Sequence, residues 1–198
     1  MHKGFTLIEL MVSVTIFIIV MVISLGSLLS ISAAERKAEA LKTVMNNLSF
    51  GLESMSRTIR TGVDYHCGSG GTITEPLDCQ NGDDYFAFEA VGGDSDESND
   101  QVVYWHETDA GDCGQTGTGG CIMRSVEGGA NGAPITAPEV VISHLTFYVF
   151  GSEPEFNNDP VHAQPRVTIT LSGAVTLGTA IPTDFELQTT VTQRLYDQ

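Results

Sequence analysis

Positive charge is scarce in this chain of 198 residues: nine Lys or Arg stand against 25 Asp or Glu, a formal net charge of −16. The deficit lies in one part only. Residues 61–198 hold three basic residues and 21 acids, a balance of −18, whereas residues 1–60 hold six and four, a balance of +2. A segment so acidic repels a phosphate backbone, so nucleic acid is excluded as its partner. Catalytic signatures are lacking as well. His66, His106, His144 and His162 are dispersed, and neither G-x-S-x-G nor H-E-x-x-H occurs. The glycine runs 68–71 and 117–120 lead into no Lys-Ser or Lys-Thr pair, which a phosphate loop requires. These absences speak against an enzyme. Neither proline nor cysteine occurs before residue 61, and no internal repeat or long low-complexity stretch divides residues 61–198, which leaves one apolar stem and one head.

The chain opens with a run from Phe5 to Ile31, apolar except for Thr6, Glu9, Ser13, Thr15, Ser24, Ser27 and Ser30. About 20 such residues suffice to cross a bilayer. Glu9 is the misfit, because a carboxylate costs up to ~2.5–3.5 kcal/mol at the bilayer centre and less near its surface, so a function is its default explanation. An ordinary signal peptide cut near Ser32-Ala33-Ala34 is the competing reading, against which stand the length of the run and its internal acid.

Lys3-Gly4-Phe5-Thr6-Leu7-Ile8-Glu9-Leu10 resembles the prepilin cleavage and methylation motif of type IV pilins and type II secretion pseudopilins. The resemblance implies that a membrane-embedded prepilin peptidase cuts between Gly4 and Phe5 and N-methylates Phe5. A glycine before the cut gives the protease close access to the backbone, and His2 and Lys3 hold that end in the cytoplasm. It further implies that Glu9, one turn along the helix, pairs with the Phe5 amine of an adjacent subunit and sets the register of a filament. A carboxylate that merely reaches the headgroups of a plain signal anchor is the other explanation. Implied partners are other pilin or pseudopilin subunits, an inner-membrane assembly platform and the membrane itself. The head would lie outside the cytoplasm. Family members that form the bulk of a pilus often carry a proline in the second half of this segment. Here none is present, and Gly26 is the single weak point.

The helix is expected to continue past the membrane, since Ala38, Leu41, Met45, Leu48, Leu52, Met55 and Ile59 recur at steps of three or four. Arg57 and Arg60 in its last turn and Gly62 after it mark the stop. The expected organisation is a leader over 1–4, a membrane and assembly helix over 5–31, an amphipathic continuation over 32–61 and a β-rich head over 62–198. Two-residue alternation predicts strands at Tyr85–Ala90, Gln101–His106, Cys121–Val126, Val140–Phe150, Arg166–Leu171 and Phe185–Leu195. In the clearest, Val167, Ile169 and Leu171 face one way and Thr168, Thr170 and Ser172 the other, which suits a sheet with one wet face and the helix stripe over the dry one. The fold class is α+β, pilin-like: a long N-terminal helix, transmembrane in its first half, packed on a mostly antiparallel sheet. Trp105, Tyr104, Phe86 and Phe88 are expected in the core rather than on a binding strip. The closing run from Phe185 to Leu195 is similar to the last strand of minor pseudopilins, including those similar to pseudopilin J.

Cys67, Cys79, Cys113 and Cys121 all lie in the head. For an exported segment, four cysteines allow three disulfide pairings, and the sequence-local pairs Cys67 with Cys79 and Cys113 with Cys121 are favoured. A four-thiolate zinc site competes, although the spacings lack a C-x₂₋₄-C knuckle. Asp94, Asp96, Glu97, Asn99 and Asp100 supply oxygen ligands within seven residues, the kind of loop that attracts calcium, though without the central Gly and terminal Glu of an EF-hand. A solvated hairpin loop is the favoured explanation. No other cofactor is implied. The function read from all this is a minor pseudopilin of a type II secretion-type filament. A minor type IV pilin of a surface pilus and a signal-anchored binding module that never polymerises are the alternatives.

Overall fold

The computed structural model describes residues 4, 6–94, 96–116, 118–152, 164–175 and 182–194, with the side chain of residue 40 excepted. One helix, α1 (Leu7–Thr61), is followed by nine strands among the described residues: β1 (Val63–Cys67), β2 (Cys79–Asp83), β3 (Tyr85–Glu89), β4 (Val102–Glu107), β5 (Cys121–Ser125), β6 (Ala133–Pro134), β7 (Val140–Phe150), β8 (Arg166–Val175) and β9 (Thr183–Thr192). A long apolar N-terminal helix with antiparallel sheets is the α+β, pilin-like architecture anticipated from the sequence.

The sheet is divided, however. One has five strands in the order β1-β3-β4-β5-β6, the other four in the order β2-β7-β8-β9. The division comes from β2, which pairs with β7 although β1 and β3, its neighbours along the chain, pair with each other. Nothing in Cys79-Gln80-Asn81-Gly82-Asp83 alternates in polarity, so periodicity gives no sign of this strand. Strands β1 and β6 escape for related reasons: a bulge between Val63 and His66 interrupts the first, and the second is two residues long. The six expected strands are all present, and β8 alternates as anticipated, with Val167, Ile169 and Leu171 buried and Thr168, Thr170 and Ser172 half-buried.

Contacts divide the chain into two compact units, Met1–Lys42 and Thr43–Gln198. The boundary falls inside α1, because the helix is drawn into the second core from Val44 onward. Val44, Leu48, Gly51, Met55 and Ile59 form the buried stripe. Leu41, Met45 and Leu52 flank it half-buried and Ala38 is exposed, so the true stripe is rotated slightly from the expected one. Burying each large apolar side chain stabilises by about 1.5–3 kcal/mol.

Rings fill the space between the sheets. Tyr65, Phe86, Phe88, Tyr104 and Phe147 are all fully buried. Phe86 of β3 stacks on Phe147 of β7 at 5.3 Å between ring centres, an aromatic contact joining the two sheets. Phe86, Phe88 and Tyr104 are thus core, while Trp105 packs half-buried on Cys113, Cys121 and Met123. The end of α1 is secured from several directions. The Gly62 N–H bonds to the Ile59 carbonyl, and the Tyr65 hydroxyl donates to the same oxygen at 2.5 Å. The Arg194 amide donates to the Arg60 carbonyl, and Gln193 Nε2 donates to the Gly62 carbonyl at 2.9 Å, so residues just past β9 satisfy the orphaned helix end. Glycine is needed at 62 because a Cβ there would sit 2.2 Å from Phe88 Cδ2.

Candidate assembly helix and head loops

The helix start explains itself chemically. Thr6 is its N-cap: Thr6 Oγ1 accepts from the Glu9 amide at 3.3 Å, and the Thr6 carbonyl accepts from the Leu10 amide. Thr6-Leu7-Ile8-Glu9 is therefore the T-x-x-E spacing of a capping box, and the acid of Glu9 lies in the first turn, where the helix dipole favours it. The T-x-x-E spacing is legible in the sequence, but the oddity of an acid within an apolar run draws attention away from it. Gly4 is exposed with no heavy atom within 4 Å of where a Cβ would stand. Phe5, His2 and Lys3 lie outside the described residues.

All eighteen large apolar side chains from Leu7 to Ile31 are exposed. This helix is long and apolar enough to cross a membrane. An exposed apolar surface of that extent calls for lipid or partner helices around it. Its hydroxyls fit such surroundings, since Ser13 Oγ donates to the Leu10 carbonyl and Thr15 Oγ1 to the Met11 carbonyl, leaving neither dependent on water.

In the head, Cys67 is bonded to Cys79 and Cys113 to Cys121. The first disulfide joins β1 of the five-stranded sheet to β2 of the four-stranded one. His66, fully buried beside it, has Nδ1 2.7 Å from the Glu75 carbonyl and Nε2 2.9 Å from that of Gly70, and so organises the 68–78 loop. His106 contacts the Ile142 carbonyl, His144 is exposed on β7, and His162 lies outside the described residues. The three described histidines do not converge. The second disulfide fastens the 108–120 loop, where Glu107 accepts from the amides of Asp109 and Thr108. The Asp109 amide first, then Trp105 Nε1 and the Thr108 amide, hold the Glu107 carboxyl below its ordinary range against a smaller opposing effect of burial.

The acidic segment forms the loop between β3 and β4. Asp100 Oδ2 accepts from the Asp94 amide at 2.9 Å, and Asp94 Oδ1 accepts from the Asp96 amide at 3.2 Å. Asp96, Glu97 and Asn99 are exposed. The loop thus brings Asp94 and Asp100 together and leaves the other three pointing to solvent. Among the described residues, no three His, Cys, Asp or Glu side chains are grouped to hold a metal ion. Beneath the loop lies Glu89, which no sequence pattern singles out. Phe86, Ala87, Phe88 and Glu89 are all buried, because the five-stranded sheet is covered on both faces here, and a buried acid in such a strand has no periodic signature. Burial first and Asp100 second, with Asp64 and Asp94 adding to them, push the Glu89 carboxyl above its ordinary range against the opposing Ala90 amide.

Residues 1–25 match the family described as the prokaryotic N-terminal methylation motif. No curated protein and no solved structure matches the chain. The match supports a type IV pilin-like protein, and proteins with this motif are structural subunits. Such a motif implies processing by prepilin peptidase and association with other pilin subunits.

Proposed function

We propose that this protein is a minor pseudopilin of a type II secretion-type filament. Prepilin peptidase removes Met1 to Gly4 and N-methylates Phe5, and the apolar first half of α1 anchors the chain in the cytoplasmic membrane before packing into the filament. The N-terminus faces the cytoplasm and the head the far side. The carrying observation is the methylation motif at residues 1–25, continuous with a helix whose large apolar side chains are all exposed up to Ile31. Two disulfides in the head agree with an oxidising compartment. The absence of proline from the stem supports a minor rather than a bulk subunit, and the likeness of the closing strand to those of minor pseudopilins supports secretion over a surface pilus.

Glu9 pairs with the methylated amine of Phe5 on a neighbouring subunit, an ion pair whose partners compensate each other's desolvation. N-terminal sequencing and intact mass of protein extracted from membranes of cells with prepilin peptidase test the pathway: a start at methylated Phe5 is expected, and a start at Met1 or near Ala33 refutes it. Glu9→Leu in the same cells is expected to abolish filament incorporation without changing processing. Normal incorporation would end the role given to the carboxylate.

A further inference from the structure

Arg124 is a cation without an anion. It is one of three basic residues in a head with 21 acids, yet no Asp or Glu forms an ion pair with it among the described residues. Its side chain is half-buried, and Nε is fully buried with no hydrogen bond. The guanidinium acts on the hydroxyl of Tyr104, its cross-strand neighbour on β4. That hydroxyl is neutral and lies 2.9 Å from Thr58 Oγ1, so it does not answer the charge. An unpaired charge out of water is costly, and a position that keeps one calls for a partner from outside the chain.

A place for that partner lies beside it. Phe50, Ser54 and Met55 of α1, with Tyr104, Arg124 and Ile135 opposite, line a cavity of about 220 Å³. No acid is among its lining residues, although the head is rich in them. Aromatic residues, Met and Arg without Asp, Glu or Lys make up the core of a protein–protein interface, and Tyr and Arg in a pocket are its usual anchors. Phe50 is 77% exposed, more than any other large apolar side chain described beyond Ile31, so the cavity opens to solvent beside an uncovered ring. The volume is below the ~300–1,000 Å³ of small-molecule pockets and suits one apolar side chain with a carboxylate next to it.

We propose that this cavity receives a segment of a different protein in which a bulky apolar side chain stands next to an Asp or Glu. The apolar side chain packs on Phe50 and Met55, and Arg124 Nε donates to the carboxylate. Charge complementarity selects the occupant: the cavity offers a cation and apolar walls, so it wants one acid in apolar company. A second copy of this chain would set a head of −18 against another of −18, so the partner is a less acidic chain. All the lining residues belong to the unit Thr43–Gln198, and the site stands whether or not the stem enters a filament.

Photocrosslinking in the native cells tests this, with benzoylphenylalanine in place of Phe50 in the full-length chain. The expected adduct joins a different protein, and its crosslinked peptide carries Asp or Glu next to a bulky apolar residue. Arg124→Gln should reduce the adduct at least about tenfold, as loss of one partner of a desolvated charge pair does. Arg124→Lys should keep part of it, and Ser54→Trp, which fills the cavity and leaves Arg124 in place, should abolish it. A titration needs no variant to fold: phenylacetate, added to the unaltered protein in detergent micelles up to ~50 mM, should shift the Arg124 Nε–H resonance saturably, whereas phenylacetamide and sodium chloride should not. The proposal is overturned by no adduct, by an adduct unchanged in Arg124→Gln, or by a joined peptide without an acid. An adduct with a second copy or with lipid overturns it too, as does an equal shift from phenylacetamide.

Discussion

Replacing Cys67 and Cys79 together by alanine removes the covalent tie between the two sheets. Loop-closure entropy for a sequence separation of 12 gives a loss of about 3 kcal/mol at 25 °C, and for the separation of 8 at Cys113–Cys121 about 2.6 kcal/mol. On entropy alone the two pairs are nearly equivalent. The structure separates them, because Cys67 ends β1 in one sheet and Cys79 opens β2 in the other, whereas the second disulfide fastens one loop to β5. Cutting the first also loosens the short, irregular pairing of β2 with β7, whose register shifts between Cys79 and Asp83. The Cys67→Ala/Cys79→Ala variant should therefore lose at least ~3 kcal/mol, or roughly 6–12 °C in midpoint for a domain of this size, and more than Cys113→Ala/Cys121→Ala. Urea unfolding of full-length protein in detergent, followed by far-ultraviolet circular dichroism and by Trp105 fluorescence, measures both. Trp105 packs on Cys113 and Cys121, so its emission should change at once in the second variant and only on unfolding in the first. A loss below ~1 kcal/mol for the first pair, or a larger loss for the second, would refute the reasoning that the bridge between sheets matters most.

Ile59→Ala truncates a fully buried side chain in the last turn of the helix stripe and should cost about 2–5 kcal/mol, read as a lower urea midpoint with an unchanged slope. Glu107 is held below its ordinary carboxyl range, so its contribution is present above that range and disappears as pH falls through the lowered value. Glu107→Gln should accordingly reduce stability at neutral pH and flatten the acid limb of the stability profile. An acid limb identical to that of the unaltered chain would disprove this.

Much of the fold is legible in the sequence because its strongest signals are local and periodic. The exposed apolar run, the helix stripe and the two-faced strands β7, β8 and β9 each obey one period over many residues. What escapes depends on tertiary context. β2 is a polar five-residue strand that forms because β7 offers it an edge and a disulfide holds it there. Val44 and Gly51 join the stripe because α1 is rotated slightly onto the sheet, and one-sequence periodicity does not fix that angle. Of the loop residues, spacing suggests five equivalent oxygen ligands, yet the fold half-buries Asp100 and leaves Asp94, Asp96, Glu97 and Asn99 exposed. Glu89 escapes altogether, since a strand covered on both faces has no polar side on which an acid would stand out.

The charge distribution bears on why a single carboxylate matters so much to the proposed assembly. Heads carrying −18 each repel a neighbour only within about a Debye length, ~8 Å in physiological salt, so they oppose close contact without selecting a partner. The apolar side chains of the stem do not select one either: in a bilayer, lipid tails are as apolar as leucine, and helix association draws on packing and polar contacts instead. Register in the membrane must therefore come from the few polar groups. Among those in the first turns, the hydroxyls of Thr6, Ser13 and Thr15 are each bonded within their own helix. The Glu9 side chain makes no bond to another described residue, and it carries a full charge where a mismatched position would leave that charge unanswered in hydrocarbon. In the proposed filament, a one-turn slip between stems would strand this carboxylate, so the energy that distinguishes the correct register from its neighbours would reside at Glu9.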